Sequence, residues 1–453
     1  MTQTATHLSW LGIARLGLVQ ACIGAVVVLA TSTLNRVLVV ELGLAAILPG
    51  ILVAMHYLVQ ILRPRMGYGS DQAGRCTPFI RGGMVVLALG GLLATWATTQ
   101  IPLDAWVGYS GLFASFALIG LGVSACGTAL LTLLAKQVQP SRRARAATLV
   151  WIMMITGFAT TAGLAGHLLE PFSMDRLLEV SAGITLIAVV LTFTMTLRLE
   201  RKQPPLQTDP QTRERSAARE KTAFRHALRS VIEEPQAWQF TLFVFVSMLA
   251  FSTQDLILEP FAGEVFGYSP GASTQLSGMQ HAGVLIGMLL VAGIGSKVGS
   301  LKRWTMGGCM LSGLALMGLA IAGFTQNTEW PLVSNVVLLG IANGAFSIAA
   351  IASMMRLAGE GQAKREGTRM GLFGAAQAIA FALGGLLGTG LTDLAKGILD
   401  ATSQAYGAVF LLEAALFVLA AHLGAKVSES QSKPIRASAP HTPEREAIHA
   451  SAL

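Results

Sequence analysis

Long apolar runs of roughly 20 residues, the length that crosses the hydrocarbon core, recur along nearly the whole chain between short polar stretches. Runs at about 16–36, 44–62, 79–99, 107–134, 146–169, 177–198, 238–258, 272–295, 304–324, 332–355, 369–392 and 403–424 predict twelve transmembrane helices. Ahead of the first, Leu8, Trp10, Leu11, Ile13 and Leu18 are interleaved with Ser9, Gly12 and Arg15. That pattern predicts a short interfacial helix with Trp10 at headgroup depth. The rhythm breaks at residues 200–235, a charge-dense stretch with Pro204, Pro205 and Pro210 that divides the spans six and six. Within it Ala223, Phe224, Ala227, Leu228 and Val231 oppose Arg225, His226 and Arg229, which predicts an amphipathic cytoplasmic helix. Residues 425–453, rich in Ser, Pro, Ala and charge, are expected to be a disordered tail. The expected organisation is therefore an N-terminal segment 1–15, a six-helix bundle 16–199, a linker 200–235, a second bundle 236–424 and the tail.

Composition removes the soluble alternatives. With 53% hydrophobic and only 12% charged residues among 453, a water-facing surface has too little charge to cover it. The 49 glycines suit helices that approach closely in lipid. A net charge of +8 raises nucleic acid as a partner, but the distribution of the charge excludes it. Of 32 Lys and Arg, three (Arg36, Arg176 and Lys396) fall on the odd-numbered loops, and the rest on the termini and even-numbered loops. By the positive-inside rule both termini are cytoplasmic, in a multi-pass membrane protein. The first residues lack a basic n-region and an A-x-A site, so no cleavable signal peptide is expected. Cys22, Cys76, Cys126 and Cys309 are scattered, which predicts neither disulfide nor zinc site.

The two halves echo each other. Span 1 ends Ser32-Thr33-Leu34-Asn35-Arg36, followed by Glu41 and Leu48-Pro49-Gly50; span 7 ends Ser252-Thr253-Gln254-Asp255, followed by Glu259 and Ser269-Pro270-Gly271. With the six-plus-six count, this favours an internal duplication. After span 2 the loop reads G-x-x-x-D-x-x-G-R, with Gly67, Asp71, Gly74 and Arg75. Its eroded counterpart runs from Gly295 to Arg303. The first loop resembles the loop 2–3 signature of the major facilitator superfamily, which implies two six-helix bundles about a central cleft. It departs from that signature at Gln72 and Cys76, where basic residues are usual. The fold class expected is thus an all-α membrane protein of two pseudo-repeated six-helix bundles.

A narrower resemblance lies in residues 31–50 (TSTLNRVLVVELGLAAILPG), 56–80 (HYLVQILRPRMGYGSDQAGRCTPFI), 252–271 (STQDLILEPFAGEVFGYSPG) and 371–389 (GLFGAAQAIAFALGGLLGT). Together they look like the PucC/LhaA family, the light-harvesting assembly proteins of purple phototrophic bacteria. The resemblance implies an assembly factor that handles or delivers bacteriochlorophyll, bound or transferred, and that meets antenna polypeptides. Pigment-synthesis enzymes or the translocon would be further partners, docking on a cytoplasmic rim that includes Arg63, Arg65, Arg142, Arg143 and Arg145; the plain alternative for that rim is topology and anionic lipid contact.

Two residue groups are candidates for function. Arg36, Glu41, Asp255 and Glu259 stand at the outer ends of spans 1 and 7. They predict a latch in which Arg36 pairs with Asp255 or Glu259 across the cleft mouth, or a polar docking point; alternatively they sit in interfacial water. His56 with Gln60, and His281 with Gln280, lie within spans 2 and 8. A neutral imidazole in an apolar bundle is able to ligate the magnesium of bacteriochlorophyll; the plain reading is a hydrogen-bonded packing histidine. The rival function is a secondary transporter of a small or hydrophobic solute. Coupled transport is disfavoured because span 4 has no charged residue, spans 8 to 10 carry no acid and span 12 has only Glu413. No histidine box, nucleotide loop or paired catalytic carboxylate set is present, so the chain is expected not to be an enzyme.

Overall fold

The computed structural model describes residues 8–60, 63, 75–139, 142–200, 233–295, 300–360 and 366–432. The loop glycines Gly67 and Gly74, Asp71, and the 223–231 helix expected in the linker lie outside them; Arg75 is described and is exposed just ahead of the third helix.

Among the described residues twelve helices succeed one another: α1 Trp10–Glu41, α2 Ile47–Val59, α3 Thr77–Gln100, α4 Ala105–Gln137, α5 Arg143–Leu168, α6 Met174–Met195, α7 Ala237–Phe266, α8 Pro270–Ile294, α9 Leu301–Thr325, α10 Leu332–Glu360, α11 Glu366–Ile398 and α12 Thr402–Ser432. Eleven contain a stretch long and apolar enough to cross a membrane, and α2 is shorter among the described residues. Trp10 and Trp238 at one end of the bundle and Trp96 and Trp106 at the other are exposed, as interfacial aromatic belts require. This is a membrane protein.

Two expectations change. The interfacial helix and span 1 are one continuous helix, because neither proline nor any other breaker separates them and the Ser9 side chain caps its start by accepting from the Gly12 N–H. At the other terminus α12 continues to Ser432, several residues into the stretch expected to be tail, because no proline intervenes before Pro434.

The same helix pairings occur in each half. In the first, α3 packs on α4 and α6, α1 on α5 and α6, and α2 on α4; in the second, α9 packs on α10 and α12, α7 on α11 and α12, and α8 on α10. The halves meet through α5 with α8 and through α2 with α11, each pair being the image of the other when the halves are exchanged. Each half has its own apolar core, the second rich in edge-on aromatic pairs such as Phe261–Phe410 and Phe346–Phe417. Such pairs add ~0.5–1.5 kcal/mol each beyond area burial.

Glycines set the spacing where the halves meet. A Cβ on Gly271 (α8) would lie 2.6 Å from the Gly166 carbonyl of α5 and against the Glu170 carboxylate; one on Gly50 (α2) would lie 3.2 Å from the Gly385 carbonyl of α11 and against Thr389. Gly166 and Glu170 are four apart, as are Gly385 and Thr389, so the two contacts are pseudo-symmetric copies. The turns after α1 and α7 each contain a glycine at positive φ, Gly43 and Gly267, which a side chain rarely adopts.

Candidate functional site

Two π-helical turns, Leu29–Thr33 and Val37–Glu41, interrupt the last part of α1. Each admits an extra residue into the turn, which rotates the side chains beyond it and often marks a functional segment. Here they direct Ser32, Thr33, Asn35 and Arg36, all buried, toward the second half. Asn35 Nδ2 donates to the Leu256 carbonyl at 2.8 Å, within the two-residue break of α7 (Leu256–Ile257) that leaves this carbonyl outside regular helix pairing. Ser32 donates to the Glu259 carboxylate, and Thr274 Oγ1 to Thr33 Oγ1 at 3.2 Å. Arg36 Nη2 donates to the Tyr268 carbonyl at 2.6 Å, and Arg36 packs over Gly263, where any side chain would strike the guanidinium.

Arg36 does not take the partner expected of it. Its ion pair is with Glu41, Nη1 to Oε1 at 2.7 Å, on its own helix. The second π turn explains this, since a five-residue repeat stacks Glu41 over Arg36. Asp255 and Glu259 are outside ion-pair distance, although Arg36 is near enough to act electrostatically on Glu259. Glu259 is buried, bonded through one oxygen to Ser32 and unpartnered at the other among the described residues. Asp255, half-buried, lies one turn below.

Further polar ties cross at the same end of the bundle. The Asp393 carboxylate of α11 accepts from the Ala46 and Ile47 N–H groups at 3.0 and 2.7 Å and so caps α2. Ser269, the cap of α8, donates to Glu170 at the end of α5. Deeper in the bundle the halves touch through apolar groups: Ile155 with Val284 and Met288, the Phe158 ring on His281, and Tyr57 on Phe381. Asp393→Ala is expected to lower stability by about 1 kcal/mol, the scale of a lost helix cap, read as a lowered melting temperature of the purified protein. Unchanged melting would place the carboxylate in water.

The histidines are not brought together, and the repeat explains why. Pairing Pro49 with Pro270 sets an offset of 221 residues, which places Gln60 opposite His281 and His56 opposite Ser277. Each histidine uses the residue four away: His56 Nε2 is 2.9 Å from Gln60 Nε2, and His281 Nδ1 is 2.8 Å from the Ser277 carbonyl. His56 is buried beneath Tyr57 and beside Gly120, with Nδ1 unpartnered among the described residues. His281 is half-buried with Phe158 edge-on at 5.1 Å. Its Nδ1 bond to a carbonyl requires the proton on Nδ1 and leaves the Nε2 lone pair available, which is how ligating histidines are set. Gln280 is buried, and its backbone carbonyl packs where a Cβ on Gly340 would stand. Three inter-half groups, Asn35, Ser32 and Asp393, escape sequence reasoning. The first two stand in the repeated motif and are readable as its polar positions; nothing local marks Asp393.

The pattern of the family described as "PUCC protein" matches residues 33–432. A relative named "Bacteriochlorophyll synthase 44.5 kDa chain", from Rhodobacter capsulatus, is 52% identical over 428 residues, covering 93% of this chain and 96% of that one. "Protein PucC" of Rhodobacter capsulatus is 26% identical over 423 residues, with 90% of each chain covered. Among solved structures, a bacterial homologue of the human lysosomal transporter Spinster, inward-facing and unoccupied, superposes with a TM-score of 0.67 at 15% identity, covering 92% of this chain and 96% of that one. That likeness shows the major facilitator fold. The expectation that the chain is not an enzyme is corrected: a relative at 52% identity carries the name of a synthase chain, and absence of familiar motifs is no argument against such an association. With the matched region spanning most of its length and this degree of identity, the chain belongs to the PUCC protein family.

Proposed function

We propose that the chain works in bacteriochlorophyll handling for photosynthetic complexes, as an assembly factor that delivers pigment and receives antenna transmembrane helices. It does so in the bacterial inner membrane with both termini cytoplasmic, beside the enzymes that make the pigment. The observation that carries the reading is the match to the PUCC family together with the synthase-chain name of a relative covering nearly the whole chain. The bundle supports it, because apolar contacts deep between the halves beside a preset imidazole suit a tetrapyrrole better than a polar solute.

His281 fits a magnesium ligand better than His56, whose nitrogens are both enclosed and one of which is engaged by Gln60. His281 would hold bacteriochlorophyll through Nε2, and the pigment would supply a magnesium that accepts a neutral nitrogen ligand. The Ser277 carbonyl holds the His281 proton on Nδ1, and Phe158 fixes the ring plane. Gentle purification is expected to give near-infrared absorption from stoichiometric pigment. His281→Leu is expected to remove most of that absorption while His56→Leu retains it. A colourless wild-type preparation would overturn pigment binding, and equal loss in both variants would overturn the assignment to His281. Deleting the chain is expected to lower antenna absorption while free pigment is still made.

The fold allows a rocking cycle: the end opposite the termini is closed by directional hydrogen bonds, whereas the deeper contacts are apolar and able to slide. The positive-inside rule puts the closed end on the periplasmic side. This feature also supports the second reading, a secondary transporter of a hydrophobic solute, which saturable uptake into vesicles would reveal.

A further inference from the structure

The second half contains a buried polar pair that pigment chemistry does not use. Glu413 of α12 and Gln254 of α7 are fully buried, and among the described residues neither carboxylate oxygen and neither amide atom has a hydrogen-bond partner. Helix register sets the depth of each. Phe243 of α7 lies against Gly424 of α12, and Phe261 against Tyr406, with ring centroids 5.5 Å apart. The second contact lies beyond the Leu256–Ile257 break of α7 and shows that the two helices stay antiparallel neighbours; the first lies within unbroken helix on both sides and sets the register. Gln254 is 11 residues after Phe243, and Glu413 is 11 residues before Gly424. Eleven residues is close to three turns, which puts both side chains on the facing stripes at one depth. Asp255, next in the chain to Gln254 and half-buried, is near enough to act electrostatically both on Glu413 and on Tyr57 of the other half.

The charged groups on the neighbouring helices are engaged or distant. Lys396 pairs with Glu264, Arg36 with Glu41, and Lys302 and Arg303 stand at the far end of α9. Glu259 is bonded to Ser32 and Asp393 caps α2. Tyr406 and Cys309 are uncharged neighbours, and His422 is more than two turns along α12. An ionised carboxylate without a partner is strongly disfavoured in a dry bundle. Four unpartnered polar atoms at one depth call for a proton and a bridging water.

We propose that Glu413 is a proton-loading site: it carries a proton at rest, bridges to Gln254 directly or through one water, and exchanges that proton through Asp255 with the boundary between the halves. In the exchange an O–H bond forms on Glu413 as one on Asp255 breaks, and Asp255 is re-protonated from solvent. The inference is independent of the pigment reading. Infrared spectroscopy of the full-length protein in lipid nanodiscs at neutral pH tests it. The expected result is a protonated-acid carbonyl band that moves with carbon-13 carboxyl labelling of glutamate but not of aspartate. It has a component lost in Glu413→Gln, retained in Glu259→Gln and shifted in Asp255→Asn. No such band, a band that tracks the aspartate label, or a component that survives Glu413→Gln overturns the proposal. Should Glu413→Gln fail to fold, an unshifted band in Asp255→Asn overturns it as well.

Discussion

Arg36→Ala is expected to destabilise the protein by about 3 kcal/mol, near the lower end of the cost of removing one member of a buried ion pair. The guanidinium is 3% exposed; it joins Glu41 to the Tyr268 carbonyl and fills the space above Gly263. Without it, Tyr268 loses a charge-assisted bond, and the buried Glu259 loses a nearby positive field. Glu41 is about a third exposed and recovers some hydration, which is why the cost stays at the lower end. The measurement is the unfolding midpoint in detergent, with Glu41→Gln as comparison. If these groups sat in interfacial water, Arg36→Ala would cost under about 1 kcal/mol, as surface pairs do. That result would remove the seal as a structural element. Lysine is not expected to rescue, because one ammonium does not span two acceptors in the fixed fork of a guanidinium.

Gly271→Leu is expected to hold the same end of the bundle apart. The added Cβ alone meets the Gly166 backbone carbonyl at 2.6 Å, and backbone is not displaced by a rotamer change, so overpacking costs about 1–3 kcal/mol. The reporter is Thr33→Cys, at a position 1% exposed beneath the seal. The native cysteines Cys22, Cys76, Cys126 and Cys309 are buried and give a low background. Thr33→Cys is expected to resist an impermeant maleimide in the parent background and to react in the Gly271→Leu background. Gly50→Leu is expected to act alike across α2 and α11, since its contact with Gly385 and Thr389 is the pseudo-symmetric copy. Equal protection in all three backgrounds would show that the glycine contacts do not set the closed state.

Much of the architecture is legible in the chain because lipid is an unforgiving solvent. Every span must satisfy its own backbone and present apolar side chains, so helix number and order are written as runs of residues such as 107–134. The repeat of Ser32-Thr33 with Ser252-Thr253 is readable for the same reason, since both helices occupy equivalent places. Helix ends are less readable. Hydropathy puts span 1 at 16–36, yet the helix runs from Trp10 to Glu41, because neither π turns nor the absence of a breaker leaves a hydropathy signal.

What tertiary structure decided was pairing. Arg36 and the acids Asp255 and Glu259 stand out by charge, but which of them meet depends on the phase of α1, and one extra residue in a turn rotates a side chain by about 100°. The same holds for Glu413, an isolated acid in span 12 until α7 lays Gln254 at its depth. It holds for Asp393, whose two donors belong to the start of α2, more than three hundred residues earlier in the chain. Sequence by itself determined that the chain lies in a membrane as a duplicated bundle, because hydrophobic length is a local property. Contacts between helices are set by rotation and depth, which accumulate over whole segments, and so the partners of its buried polar groups were fixed only when the helices packed.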